Sequence, residues 1–247
     1  MDKNTARTKW NEFIADLGYL QLKFAGADIV EDLLHTIFIK YEENHRFYHT
    51  LGHILHMLDK IDEIGIQSGL SKKHSTLLKA ATWYHDIYYD PFNLHPRLSN
   101  EFFSGVIAQA ELGELGLNTA SFAFIDNVRY LIEMTQSHKP KSYLRIETNT
   151  QHIFIDADMS ILGETPEKYK KYSAQITDEY FSNILLVTPL FFYKKRSEFL
   201  QKTLENKPIF YTSYMQTHYE EQAYTNIRDE IAMLDKLIEE ELTQEKR

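Results

Sequence analysis

Three clusters in this sequence carry the side chains that metal and proton chemistry needs. The first is Tyr48-His49-Thr50-Leu51-Gly52-His53-Ile54, with two imidazoles four residues apart. On a helix that spacing places both rings on one face, and His56 extends the stripe by another turn. The second is His85-Asp86, which closes the apolar run Ala80-Ala81-Thr82-Trp83-Tyr84. A charged pair straight after such a run is expected to be wholly or partly buried, and buried charge is costly unless it is paired or bound to metal. The third is Phe154-Ile155-Asp156-Ala157-Asp158-Met159-Ser160, two carboxylates in an apolar helical stretch. Residues two apart on a helix point about 200° apart. One site therefore takes one of them, and the other is expected to face solvent or serve as a cap.

Each cluster alone has a plainer reading. The first could be a polar flank or a set of hydrogen-bonded core histidines, the second a helix-terminal His beside a solvated Asp. Together they give His, His-Asp and Asp on three helices. Imidazole with carboxylate suits Zn, Fe, Mn, Ni or Co. The chain has no Cys, so a metal here must be held by His and carboxylate.

The elements that must position these residues are helices, because apolar periodicity of the helical kind recurs almost throughout. The expected spans run from about Thr8 to Phe24, Ala27 to Tyr41, Thr50 to Ile64 (stopped at Gly65), Lys72 to Asp86, Leu98 to Leu115 and Phe122 to Thr135. A less regular stretch follows from about Lys139 to Thr150. A helix then carries Ile153 to Leu162 and ends at Gly163. Thr165-Pro166-Glu167 reads as a helix start, with Thr165 as cap and Pro166 in the first turn. Pro189 opens or kinks the next helix, and the last runs from about Tyr219 to Glu241. The patch Ile209 to Thr212 looks β-like, but nothing suggests a sheet core. The expectation is an all-α, single-domain bundle over residues 1–247, of about nine or ten helices.

Composition agrees. Only 9 Gly and 6 Pro interrupt 247 residues, and 43% hydrophobic with 26% charged residues is an ordinary globular balance. With 36 acidic and 27 basic residues the formal net charge is −9, which disfavours a nucleic acid polymer as partner. A small anionic substrate stays open, because a bound metal changes the local field. The start MDKNTARTKW has no apolar signal core. No apolar run reaches the ~18 residues a bilayer span needs. The densest, Phe181 to Tyr193, holds Asn183, Thr188 and Pro189 and reads as a buried helix junction. A soluble, cytoplasmic protein without a membrane partner is expected.

The order His, His-Asp, Asp resembles the HD superfamily of metal-dependent phosphohydrolases. Tyr48-His49-x-x-x-His53 is similar to the corresponding helix of cyclic nucleotide phosphodiesterases, and Ala157-Asp158-Met159-Ser160 to their Ala-Asp-Leu-Ser. The latter match selects Asp158 over Asp156. A bacterial branch of predicted HD phosphohydrolases is similar in Arg46-x-Tyr48-His49, Trp83-x-His85-Asp86, Asn100-Glu101, Thr135 with His138, Asp156 to Gly163, and Glu179-Tyr180. The resemblance runs from about Tyr41 to Glu230. Three positions depart from it. Thr50 stands where the phosphodiesterases have Asn, Thr177 where the branch has an Arg, and Lys195-Arg196 where it has Gly-Arg.

The resemblance implies an HD-type bundle with His53, His85, Asp86 and Asp158 as ligands of a divalent metal ion (Mn, Fe, Ni, Co, Zn or Mg). Such a metal activates water at neutral pH, and the substrate would be a small phosphorylated molecule, such as a nucleotide. His49 would give a proton to the leaving oxygen or bind the phosphate. Glu101 and Asn100 would orient a water or support the ligands, although Glu101 also suits a helix N-terminus. His138 would hold a second metal bridged by Asp86, or simply end its helix. Lys139 and Arg46 are the nearest cations for phosphate. A homodimer, a diiron oxygenase and a non-catalytic ligand-binding module are left open. His35, His45, His74, His95, His152 and His218 belong to no motif, and the 16 Tyr and 15 Phe read as core.

Overall fold

The computed structural model describes residues 3–18, 26–92, 95, 97–116, 122–142, 145–181 and 188–244, and among these described residues helix-forming sequence with well-placed caps produces eleven α-helices and a 3-10 turn after the seventh. No strand occurs among the described residues. The helices are α1 (Lys3–Leu17), α2 (Ala27–Tyr41), α3 (Leu51–Ser68), α4 (Lys72–Tyr84), α5 (Asn100–Glu114) and α6 (Phe122–Thr135). There follow α7 (Thr148–Met159), the 3-10 turn Ser160–Gly163, α8 (Pro166–Phe181), α9 (Pro189–Glu205), α10 (Ser213–His218) and α11 (Glu220–Gln244). The fold class is the all-α one the periodicity indicates. The short α10 is the helix that periodicity misses, because six residues hold too few apolar repeats to register. The end of the expected first helix, residues 19–24, lies outside the described residues.

Local chemistry explains the boundaries. Thr50, Ser71, Ser99, Thr188 and Thr212 each sit at an N-cap and accept a hydrogen bond from a backbone N–H of the first turn. Gly65 does not stop α3. The helix continues to Ser68 and closes at Gly69, whose φ of 64° is the left-handed cap that glycine adopts without strain. Gly65 is there for packing. A Cβ on it would lie 3.1 Å from the Leu70 side chain, which folds back over the helix end.

The chain divides into two units, Met1–Ala157 and Asp158–Arg247. In the first, α4 is the central helix, packed by α1, α3, α5 and α6. Its Trp83 is fully buried and meets Trp10 of α1 edge-on at 5.4 Å. Each such large apolar side chain contributes roughly 1.5–3 kcal/mol through burial. In the second unit, α11 packs on α9, α8, α10 and the 3-10 turn. Arg196 of α9 meets Glu230 of α11 through two hydrogen bonds, 2.9 and 3.2 Å. The Tyr169 hydroxyl also donates to Glu230, as does Ser173 at 2.9 Å, and Arg196 donates to the Tyr172 hydroxyl at 3.1 Å. Burial by itself would raise the Glu230 carboxyl, but the Arg196 charge and these hydrogen bonds overcome that and hold it below the usual carboxylate range.

Candidate metal centre

The site grows from two helix ends. Thr50 caps α3, and its side chain accepts from Gly52 N at 3.3 Å, so the first turn presents His53 inward, 4% exposed. Thr and Asn both cap well, so the departure at Thr50 keeps the function that an Asn would have at this position. At the other end, His85 is the C-cap of α4 and 1% exposed. Its Nδ1 lies 3.0 Å from the Thr82 carbonyl. A carbonyl only accepts, so Nδ1 carries the proton, and in the neutral ring Nε2 keeps its lone pair.

Three nitrogen and oxygen atoms able to bind a metal then face one another. His53 Nε2 is 3.1 Å from His85 Nε2. Asp86 Oδ2 is 2.9 Å from His85 Nε2 and 3.6 Å from His53 Nε2. The lone pair of His85 Nε2 and the Asp86 carboxylate oxygen repel at 2.9 Å unless a proton or a metal ion lies between them. Two imidazoles bound to one ion at about 2.1 Å, with angles of 90–109°, have nitrogens roughly 3.0–3.4 Å apart, and the 3.1 Å here falls in that range. The donor set fits a metal of the borderline class that imidazole and carboxylate select.

Asp158 completes the cluster. His53, His85 and Asp158 each offer a ligand atom, all within 4.8 Å of one another. Asp86 is not one of that three, although its Oδ2 lies 2.9 and 3.6 Å from the two imidazole nitrogens. Asp158 sits in the last turn of α7, a helix unbroken from Thr148, so that helix carries the carboxylate into place. The other carboxylate, Asp156, differs from expectation. It does not face solvent; it is 0% exposed. Residues 153–157 are all buried, so this turn of α7 has no solvent face to offer it.

Burial alone would raise the Asp86 carboxyl. The charge and hydrogen bond of His85, with the charges of His49 and His53, reverse that and hold it far below the usual carboxylate range. His49 stands near the cluster, but not for the expected reason. It precedes the Thr50 cap, so no helical i,i+4 face relates it to His53. The tight turn before α3, with Thr50 N–H donating to the Tyr48 carbonyl at 2.7 Å, brings the two rings to 5.9 Å. Tyr89, which no sequence motif marks, stacks on His49 at 4.2 Å, and Tyr48 meets it edge-on at 5.1 Å. His45, read from sequence as surface or packing, contacts the Tyr89 carbonyl through Nε2 at 2.9 Å.

The remaining sequence candidates lie outside the group of donor atoms. Asn100 forms a two-way pair with the backbone of Asp90, accepting from its N–H at 3.2 Å and donating to its carbonyl at 2.9 Å. It thereby closes the loop after His85-Asp86. Glu101 is half-buried in the first turn of α5, where its charge suits the helix dipole. His138 has a φ of 49°, and its N–H donates to the Met134 carbonyl at 3.1 Å, which caps the end of α6. Lys139 is exposed. Arg46 is buried and its guanidinium binds backbone carbonyls. Among the described residues, His53, His85 and Asp158 are the one group of three placed to hold a metal.

No helix of the described residues is long and apolar enough to cross a membrane. No family model matches the chain, and no curated protein matches it.

Proposed function

We propose that this chain is a metal-dependent phosphohydrolase of the HD type, acting on a small phosphate ester such as a nucleotide. The observation that carries the reading is the convergence of His53 Nε2, His85 Nε2 and Asp86 Oδ2 within 3.6 Å, with Asp158 beside the two imidazoles. These four residues would hold one divalent ion. When bound, such an ion makes hydroxide available near neutral pH and polarises a phosphoryl oxygen.

The protein groups around that centre have distinct tasks. The Thr82 carbonyl fixes the tautomer and orientation of His85. His49, held by the Tyr89 and Tyr48 rings, would donate a proton to the leaving oxygen. In hydrolysis the water oxygen bonds to phosphorus and the phosphorus–oxygen ester bond breaks. The leaving oxygen takes the proton from His49, which recovers one from the water. The diiron reading needs a second donor group that includes His138, and among the described residues the group found is His53, His85 and Asp158. A cytoplasmic location belongs to the same proposal.

Elemental analysis of the purified protein beside a His85→Ala, Asp86→Ala variant tests the centre. About one transition metal per chain, lost in the variant, is expected. A panel of phosphomonoesters and phosphodiesters with added Mn, Co or Ni then tests the chemistry. A loaded protein inert towards every ester refutes hydrolysis and leaves a binding module.

A further inference from the structure

We infer that Arg46 is a positioning residue that sets the spacing of the two imidazole ligands. This inference rests on the metal reading above, and it gives Arg46 a task other than contacting phosphate.

The Arg46 side chain is 0% exposed. Its Nη1 donates both to the His49 carbonyl at 3.1 Å and to the Asp86 carbonyl at 2.7 Å. Its Nη2 donates to the Ile87 carbonyl at 3.0 Å, and Nε donates to Glu43 Oε2 at 3.1 Å. One planar group therefore ties the turn that launches α3 to the turn that ends α4. His53 follows the first tie by four residues, and His85-Asp86 lies at the second. The rings of Tyr41 and Tyr89 lie 5.2 and 5.4 Å from the guanidinium carbon and fix its position.

The 3.1 Å between His53 Nε2 and His85 Nε2 is a distance across two helices. Such a distance is reproducible only if the helix ends are held rigidly relative to each other, and donor placement to a few tenths of an ångström governs metal affinity. A lysine cannot substitute, because a single ammonium cannot span the planar fork of donors that meets three carbonyls.

The test measures Mn2+ affinity of the full chain by calorimetry, and melting of the metal-free protein, for wild type, Arg46→Lys, Glu43→Gln and Val128→Ala. Arg46→Lys should bind Mn2+ ~10–100-fold more weakly, the range typical when a ligand's supporting partner is lost. Glu43→Gln leaves the guanidinium in place but loosens it, and should fall between. Val128, buried in α6, is the control for stability alone. Its alanine variant should melt lower yet bind as wild type does. Co2+ spectra should shift in the Arg46 variant and not in the control. Wild-type affinity in both Arg46→Lys and Glu43→Gln overturns the inference while leaving the metal centre intact. A wild type that takes up neither Mn2+ nor Co2+ removes the metal reading, and this inference with it.

Discussion

Asparagine replacement of the two α7 carboxylates, one at a time, separates a ligand from a structural acid. Asp158 is half-exposed and its ligand atom lies within 4.8 Å of both imidazoles, whereas Asp156 is 0% exposed and outside that group. In wild type, free metal at a hundred times the dissociation constant stabilises the folded state by ~2.7 kcal/mol. For a chain of this size each kcal/mol moves the midpoint by ~2–4 °C, so metal should raise it by ~5–11 °C. Asp158→Asn removes a ligand and one negative charge, and should weaken binding by ~100-fold or more. At the same metal concentration the linkage falls to ~0.4 kcal/mol, a rise of only ~1–2 °C. The metal-free variant should differ from wild type by less than ~1 kcal/mol, because the side chain is half-exposed. Asp156→Asn should do the opposite: the metal-free protein loses ~1–3 kcal/mol as a buried polar group is altered, but the metal-dependent rise persists. Thermal melts with and without Mn2+ or Zn2+ read all three proteins. A rise kept in Asp158→Asn and lost in Asp156→Asn would refute the choice between the two residues.

Three further outcomes follow from buried groups elsewhere. The folded state holds Glu230 below its ordinary range, so it favours the ionised form; that stability is complete above about pH 4.5 and is lost as pH falls through the folded value. Glu230→Gln should therefore flatten the acid limb of a stability profile, and should cost ~3–5 kcal/mol at pH 7 by leaving Arg196 without its counter-charge; an unchanged acid limb contradicts the pairing. Burial, with Glu114 nearby, raises the Glu111 carboxyl despite Tyr84 and Lys40, so its folded form prefers to be neutral and its cost appears as pH rises through the raised value. Glu111→Gln should stabilise the protein at pH 7–8 and lose that advantage near pH 4 in denaturant titrations. Gly163→Ala would place a Cβ 2.7 Å from both the Tyr219 carbonyl oxygen and its Cβ, which should cost ~1–3 kcal/mol in urea unfolding; a neutral result would mean that this approach is loose.

The helical character of the chain and the three chemistry-bearing clusters were legible in the sequence, because each is a local property. Pro166 and Pro189 at helix starts, and the apolar period of Phe122–Thr135, depend on neighbours within one or two turns. The residue types at His53, His85, Asp86 and Asp158 marked candidates for a metal, and the family resemblance, not the spacing, picked Asp158 over Asp156. Gly65 shows where local reasoning stops: a glycine after an apolar repeat looks like a helix end, yet here it makes room for Leu70.

Everything that depends on a distance between segments was decided only by the tertiary structure. Sequence could not bury Asp156, because a two-residue offset tells which way carboxylates point relative to each other and not what surrounds the helix. Nor could it bring His49 beside His53 without a shared helical face, stack Tyr89 on His49, or close Asn100 on Asp90. Arg46 is the clearest case. As a sequence symbol it is a cation near a histidine motif, available to a phosphate. In the fold it is a buried fork on three carbonyls, two of them about forty residues away, because those carbonyls lie in the turns outside α3 and α4 and a guanidinium is the one side chain whose planar donors reach them together.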